Sequence, residues 1–369
     1  MMTRRDFVGR FPRALAGAGA GALSACSPGT EGDGYEAAVG RIWRLGPLRG
    51  LEGAALSREL VRHATLAPSS HNTQCWKFAI EATSITILPD LSRRCPAVDP
   101  DDHHLFVSLG CAAENLIQAA SAFGLRGEAR FDAARDAVDI ALEPTAAPAS
   151  PLFGAMARRQ STRAEYDGRP VATDALKLLE TAAASDHVRV VMLFGKAALE
   201  RVLEFVVQGN TAQIHDQAFV TELKSWIRFS DAEAVRLGDG LFARSSGNPA
   251  MPRWLGEWLF GLVFTLGAEN DKCARHVRSS AGVAVFTGRQ ADKAHWVEVG
   301  RAYERFALQA TALDIRCAHL NQPVEVAALR PRFARDLGLG AARPDLVLRF
   351  GHGPRLPASL RRPVQAVLV

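Results

Sequence analysis

Residues 67–76 read Ala-Pro-Ser-Ser-His-Asn-Thr-Gln-Cys-Trp. Helical patterning from about Leu51 to Thr65 leads into this stretch. Two alternating runs, Trp76 to Ile80 and Ser84 to Leu88, lead out of it as the strands of a hairpin should. Ser69, Ser70, Asn72 and Gln74 are therefore short donors and acceptors gathered between a helix and a strand, where a polar ring could be recognised. A plain run of Asx and Ser turns also accounts for Pro68 and Ser69, though not for the whole stretch.

Working outward, the sequence predicts a helix from about His104 to Phe123. Strands follow at Glu128 to Phe131 and Ala137 to Leu142, before an Ala/Pro linker at Pro144 to Pro151. Beyond the linker come a helix at Thr173 to Ala184, a strand at Val188 to Phe194, and helices at Lys196 to Val207 and about Thr211 to Phe229. Ser230 to Pro252 is Gly-rich and irregular. The chain continues with an apolar helix at Trp254 to Leu266, a strand at Gly282 to Thr287, a helix at Lys293 to Leu313 and a last strand at Asp345 to Phe350.

The two long helices resemble each other at an offset of 190 residues. Val107, Gly110, Ala112, Glu114, Ala120, Ala122 and Arg126 recur as Val297, Gly300, Ala302, Glu304, Ala310, Ala312 and Arg316. Small residues at Gly110/Gly300 and Ala112/Ala302 would let two helices approach closely, so the pair is expected to pack together like the centre of a two-fold dimer. Two core helices that never touch are the alternative.

The chain has 369 residues, enough for two domains or for one domain of related halves. Lys plus Arg exceed Asp plus Glu by 5, but the arginines are dispersed among nearly as many acids, which argues against a nucleic-acid partner. The six cysteines never fall in zinc or haem spacings, and no metal is expected. No run in the body is apolar for the length of a spanning helix; the best candidate, Trp254 to Gly267, carries Glu257. Residues 1–26 look like an export signal. Thr3-Arg4-Arg5-Asp6-Phe7-Val8 resembles the twin-arginine translocation (Tat) consensus, and Leu23-Ser24-Ala25-Cys26 resembles a lipobox whose Cys26 would be acylated. Residues 27–50, rich in Gly and Pro, read as a tether.

Several side chains could carry chemistry. Arg159-Gln160-Ser161-Thr162-Arg163 offers two guanidinium forks and a hydroxyl suited to a phosphate monoester, and Arg361-Arg362 offers a second anion site. Asn321 and Gln322 add amides after the second repeated helix, where a helix-ending turn is the other reading. No GxSxG elbow, HExxH, P-loop or GxGxxG is present, so reactivity is expected to come from a bound cofactor and no side chain is assigned as catalytic.

The loop 67–76, Ala113-Glu114-Asn115-Leu116, the Arg159-x-Ser161-x-Arg163 segment, Leu348-Arg349-Phe350-Gly351 and Arg361-Arg362-Pro363, taken in order, resemble the nitroreductase family of FMN proteins. The Acg-type branch with fused repeats is the nearest likeness. The resemblance runs from about residue 50 onward. It implies an α+β fold in which two halves of one chain, 51–150 and 151–369, form an internal pseudo-dimer, and a pseudo-dimeric monomer as the working unit. Arg159, Ser161 and Arg163, helped by Arg361 and Arg362, would then hold the FMN phosphate. Pro68, Ser69, Ser70, Asn72 and Gln74 would line the ring and ribityl chain, with Asn321 and Gln322 near the redox edge. Only one complete set of these residues exists, so one FMN per chain is expected. The sequence departs from the family pattern at Cys75, where Pro is usual, and at Asp314, where Gly is expected. A segment from about 226 to 258 resembles a lid over the flavin; an ordinary bracket between elements is the alternative.

The implied activity is electron transfer from NAD(P)H, through FMN, to a small-molecule acceptor such as a nitroaromatic or quinone. An exported protein, delivered by the Tat translocase to the periplasm or to a lipid-anchored site, would meet little NAD(P)H and so implies a different donor. The rival expectation is a flavin-sequestering protein with a closed lid and little turnover.

Overall fold

Why the hairpin after the 67–76 loop faces inward is clear from its alternation. Trp76 and Phe78 turn to the core, as do Ile85 and Ile87 on the paired strand, with Phe78 opposite Ile87. The computed structural model describes residues 31–46, 50–146 and 150–369. The proposed export signal, 1–26, lies outside the described residues.

Ahead of the loop are α1 (Glu31–Ile42) and α2 (Gly53–Ala64). After it come β1 (Trp76–Ile80), β2 (Ser84–Pro89), α3 (His103–Ala122), β3 (Leu125–Asp132) and β4 (Ala137–Pro144). The second half begins with α4 (Thr173–Ala183) and β5 (Val188–Leu193). A long excursion follows: α5 (Lys196–His215), α6 (Gln217–Trp226), β6 (Ile227–Arg228), α7 (Asp231–Leu237), β7 (Leu241–Phe242), α8 (Arg253–Val263) and α9 (Leu266–Arg278). The chain then returns through β8 (Gly282–Gly288), α10 (Lys293–Ala312), β9 (Arg316–His319), α11 (Gln322–Glu325), α12 (Arg330–Asp336) and β10 (Leu346–Gly351).

Both halves build the same sheet. The orders are β1-β2-β4-β3 and β5-β8-β10-β9, and every neighbouring pair is antiparallel. In each half the long helix connects the second strand to the third, so α3 and α10 are topological counterparts. They cross at the centre. A Cβ on Gly110 would lie 2.0 Å from the Val297 carbonyl oxygen, and one on Gly300 would lie 2.0 Å from that of Val107. These contacts are reciprocal at the 190-residue offset, which makes the interface self-complementary as in a two-fold dimer. The architecture is therefore α+β, with two topologically equivalent halves packed through central helices. Among the described residues α3 alone is long and apolar enough to cross a membrane, and it is the buried core helix.

Two strand-like pairings tie down the ends of the second half, the first of them onto the first half. The C-terminal residues run beside β1, with the Phe78 N–H donating to the Val367 carbonyl at 2.8 Å. Segment 159–163 runs beside β9, with the Thr162 N–H donating to the Cys317 carbonyl at 2.8 Å.

The structure corrects several expectations. Residues 27–50 are not a plain tether, because α1 forms within them and Tyr35 packs against Phe242 with ring centroids 5.1 Å apart. α5 runs unbroken through Gly209 and Asn210 to His215. Gly209 is there for close approach, since a Cβ would lie 2.7 Å from the Gln322 backbone. The break falls at Asp216, whose carboxylate caps α6 by accepting from the Ala218 and Phe219 N–H groups. The region 230–252 contains α7 and β7, which pairs in parallel with β6 just ahead of it, rather than only irregular chain.

Candidate functional site

Two adjoining cavities open between the halves. The larger, of about 180 Å³, is lined from the first half by Pro68, Ser69, Ser70, His71, His104, Ser108 and Cys111. Ser161, Arg163, Tyr303, His319, Asn321, Gln322 and Glu325 come from the second half. The smaller, of about 50 Å³, shares Pro68, Ser69, Ser161 and Arg163 with it and adds Trp43, Asn72, Arg159, Gln160, Leu241, Ser245, Ser359 and Arg361. Together they form one elongated site.

The loop's shape depends on backbone that side-chain-bearing residues rarely adopt. His71, Asn72 and Gln74 have φ of 48, 54 and 55°, in the left-handed region. The insertion holds it there. The Asn72 side-chain amide donates to the Gly240 carbonyl at 3.0 Å, the Gly240 N–H donates to the Asn72 carbonyl at 3.1 Å, and the Gln74 amide donates to the Gly238 carbonyl at 2.8 Å. Asp239 joins Arg228, at 2.7 Å, to Arg93. Strain of this kind persists only where surrounding contacts over-determine it, and it concentrates at functional sites.

The arginines expected to hold a phosphate together have different fates. Arg163 lines both cavities and has no hydrogen-bond or carboxylate partner among the described residues; burial lowers its pKa, and Tyr303 partly offsets this. It is a cation without an anion. Arg159 lines the smaller cavity but lies 3.1 Å from the Glu304 carboxylate and donates to the Leu66 carbonyl at 2.9 Å. Arg361 is spent on main chain: it donates to the carbonyls of Thr65 (2.7 Å), Leu66 (3.0 Å), Ala67 (3.1 Å) and Leu360 (3.0 Å), which clamps the start of the loop. Burial lowers its pKa to about 9, with Arg159 adding to the effect.

Gln74 and Arg362 line neither cavity, a correction to their expected contact with a ligand. The Gln74 amide bridges Gly238 and the Arg362 N–H, and the Arg362 guanidinium donates to the Ala366 carbonyl at 2.8 Å. Ser69 lines the cavity while its hydroxyl accepts from the Gln74 N–H at 2.9 Å. Ser70, Asn321 and Gln322 line the larger cavity.

The structure adds Tyr303, Glu304 and Trp43 to the site and places there His71 and His319, two of the scattered histidines that could serve as acids or bases. Tyr303 stands on α10 and stacks edge-on against His319, with centroids 4.8 Å apart. His319 has its pKa lowered to about 3 by burial and by Arg163, and His71 to about 4 by the same causes. Burial raises the Glu304 carboxyl to about 7, against the pull of Arg159. Trp43, at the end of α1, donates to the Ser359 carbonyl at 2.8 Å and stacks on Arg361. Tyr303 and Trp43 have no local signal; each is an ordinary residue until the halves meet.

The polar atoms left over suit an anionic aromatic ligand. Arg163 is unpaired, and the buried His71 Nδ1 and Gln322 Oε1 have no partner. Two groups of metal-capable side chains also converge among the described residues, His71/Cys95/Glu222 and Asp99/His103/His104. Their carboxylates already serve main chain: Glu222 accepts from the Ala97 and Val98 N–H groups, and Asp99 from those of His104 and Leu105.

No protein-family model matches the chain. Among curated sequences it is similar to Rv3131 of Mycobacterium tuberculosis strain H37Rv, provisionally named an NAD(P)H nitroreductase, at 26% identity over 329 residues. That match spans 84% of this chain and 90% of that protein. It is also similar to the M. tuberculosis protein Acg, provisionally named likewise, at 22% identity over 84% of this chain and 94% of that one. Among solved structures, an FMN- and NADPH-dependent nitroreductase NfnB from Sphigopyxis sp. strain HMH aligns with a TM-score of 0.40 at 16% identity, covering 60% of this chain and 98% of that one. The FMN-dependent nitroreductase NfnB from Mycobacterium smegmatis, in complex with NADPH, aligns with a TM-score of 0.35 at 13% identity, covering 57% and 88%.

Proposed function

We propose that this chain is an FMN-dependent oxidoreductase of the nitroreductase type. The observation that carries the reading is the unpaired Arg163 at the junction of two cavities built from both halves, beside the orphaned polar atoms of His71 and Gln322. The whole-length likeness to two provisionally named NAD(P)H nitroreductases supports it.

Arg163, with the Ser161 hydroxyl, would bind the phosphate. Arg159 and Arg361 raise the local positive potential while their hydrogen bonds hold the loop that forms the opposite wall. Pro68, Ser69, Ser70, His71 and Asn72 would receive the ring and ribityl chain from one side, and Tyr303, His319, Asn321 and Gln322 from the other. When bound, FMN supplies two-electron transfer between a reduced donor such as NAD(P)H and an electron-poor nitroaromatic or quinone. Leu241 and Ser245 wall the smaller cavity, so the insertion limits access of water and of substrate.

The first test is a visible spectrum and an FMN titration. The chain should bind FMN and become yellow, and Arg163→Ala should weaken binding by about tenfold or more, the loss expected for a charge-assisted phosphate contact. Unchanged affinity would overturn the phosphate assignment, and a chain that never binds FMN would overturn the reading.

One observation favours a second reading, a flavin-holding protein with little turnover: Asn72, Gln74 and Arg93 tie the insertion to the loop. Stopped-flow absorbance separates the two. Bleaching by NADPH supports the enzyme, whereas bleaching by dithionite alone, even after residues 226–258 are shortened, supports storage. We further propose export by the Tat translocase and acylation of Cys26, for which residues 3–8 and 23–26 are the support.

A further inference from the structure

We infer that α8 is a membrane-contact element that seats the insertion on a lipid bilayer. This inference does not depend on the flavin reading. Of the residues of α8 only Gly256 is buried, against Phe229. Trp254, Trp258 and Leu262 recur every four positions and make one outward stripe exposed by 72, 62 and 57%, and Val263 at the end of the helix is exposed by 61%. Other exposed large apolar residues, such as Leu91, Leu178 and Phe194, are distributed over separate elements. A contiguous patch of this kind marks an interaction surface.

The stripe's chemistry favours lipid as the occupant. Paired Trp residues with Leu and Val suit the boundary between headgroups and acyl chains, where an indole keeps its N–H wet while its body is buried. The helix presents no free charge to attract an acidic or basic partner: Arg253 pairs with Glu233 and, at 2.8 Å, with Glu257. The chain itself points the same way. Cys26 of the lipobox-like motif stands five positions before Glu31, where α1 begins, so an acyl group there would lie within about 18 Å of that helix along the chain. α1 packs on α7, with Tyr35 in one apolar cluster with Ala234, and Arg253 of α8 grips Glu233 of the same α7. α1, which follows the lipobox-like motif in the chain, and the Trp stripe thus belong to one packed unit. A single lipid chain gives only marginal, reversible membrane binding, and stable anchoring takes a second element.

The test uses the full chain with Cys26→Ser, which removes the acylation site, and vesicles of neutral phosphatidylcholine at low and high salt. The protein should co-sediment with the vesicles, nearly independently of salt. Trp254→Ser with Trp258→Ser should lower the bound fraction at least tenfold, as loss of two interfacial side chains requires. Both positions are exposed, so circular dichroism and Tm should be unchanged. Absence of vesicle binding, or equal binding by the double variant, would overturn the inference. So would a dimer in solution that the double variant converts to monomer, because the stripe would then belong to a second copy.

Discussion

Arg163 and Arg159 lie four positions apart in a motif that treats them alike, yet the fold gives them opposite tasks. Arg163 faces the cavity unpaired, whereas Arg159 neutralises a carboxylate buried on α10. Arg163→Ala should therefore leave Tm within about a degree of wild type, as for a substitution that breaks no protein contact. Arg159→Ala should lower stability by about 3 kcal/mol or more, because breaking a buried pair leaves an uncompensated charge, measured by urea unfolding. The motif spacing made both arginines visible as anion binders; it could not show that one was engaged, since Glu304 is remote in sequence. The left-handed positions were partly legible. Asp314 was expected where the pattern wants Gly, and it has φ of 58°, matching Gly124 at the 190-residue offset with φ of 74°. His71, Asn72 and Gln74 gave no such warning, because their backbone is imposed by Gly238 to Gly240 across the fold. His319 carries a pH prediction. Its folded-state pKa of about 3 lies below the ordinary 6.5, so the unfolded chain takes up a proton first as pH falls. Its contribution is complete above pH 6.5 and is lost on acidification toward 3. His319→Gln should show a smaller drop in Tm between pH 7 and pH 4.5 than wild type. Glu304 and Asp345, both raised to about 7 by burial, act in the opposite sense in both proteins and cancel in the comparison.

At the scale of elements, periodicity was a good guide wherever a face is buried. The hairpin, α3, α10 and the sheet strands β5 and β8 follow the sequence pattern within a residue or two. It failed where burial is slight. α9 buries only Val277, so no apolar stripe announces it; β9, although its first three residues are buried, is a four-residue strand that begins with a charged residue, Arg316, and is too short to show a period. Gly209 misled by resembling a helix break, when its role is to let α5 touch the Gln322 backbone. The same logic makes the α3/α10 crossing testable. Because a methyl at either glycine would overlap a main-chain carbonyl oxygen, neither helix can yield by turning a side chain. Gly110→Ala and Gly300→Ala should each cost about 3 kcal/mol or more, at the upper end for overpacking, read as a lower urea midpoint with unchanged slope. An effect below about 1 kcal/mol would mean that the helices separate easily, contrary to a rigid central crossing.

At the scale of the whole molecule, two equivalent halves raise the question of two equivalent sites, and the counterpart positions answer it. Around the cavity described above, α3 contributes Ser108 and Cys111, whose counterparts on α10 are Glu298 and Arg301. Small side chains leave space on one side. On the other, Arg301 reaches Glu298 at 2.8 Å and Glu114 at 3.3 Å, while Arg305 joins Glu114 at 3.0 Å and donates to the Ala182 carbonyl at 2.8 Å. Glu114 is the counterpart of Glu304, so each half keeps a buried acid on its central helix toward the connection before the other half's first strand. In one case the arginines come from outside the central helices and leave a cavity; in the other they come from α10 itself and occupy the position. The loops differ too, since residues 65–75 separate α2 from β1 while only 184–187 separate α4 from β5. A four-residue connection has no room for a ring-binding loop. FMN titration of the flavin-free chain should therefore saturate at one equivalent per chain, followed by fluorescence quenching of free FMN. Arg305→Ala should lower stability by leaving buried Glu114 with Arg301 as its one remaining arginine, yet leave the equivalence at one, because removing the plug does not lengthen the loop. Two equivalents bound by the wild-type chain would show that the second position opens in solution and that the pseudo-symmetry is functional rather than architectural.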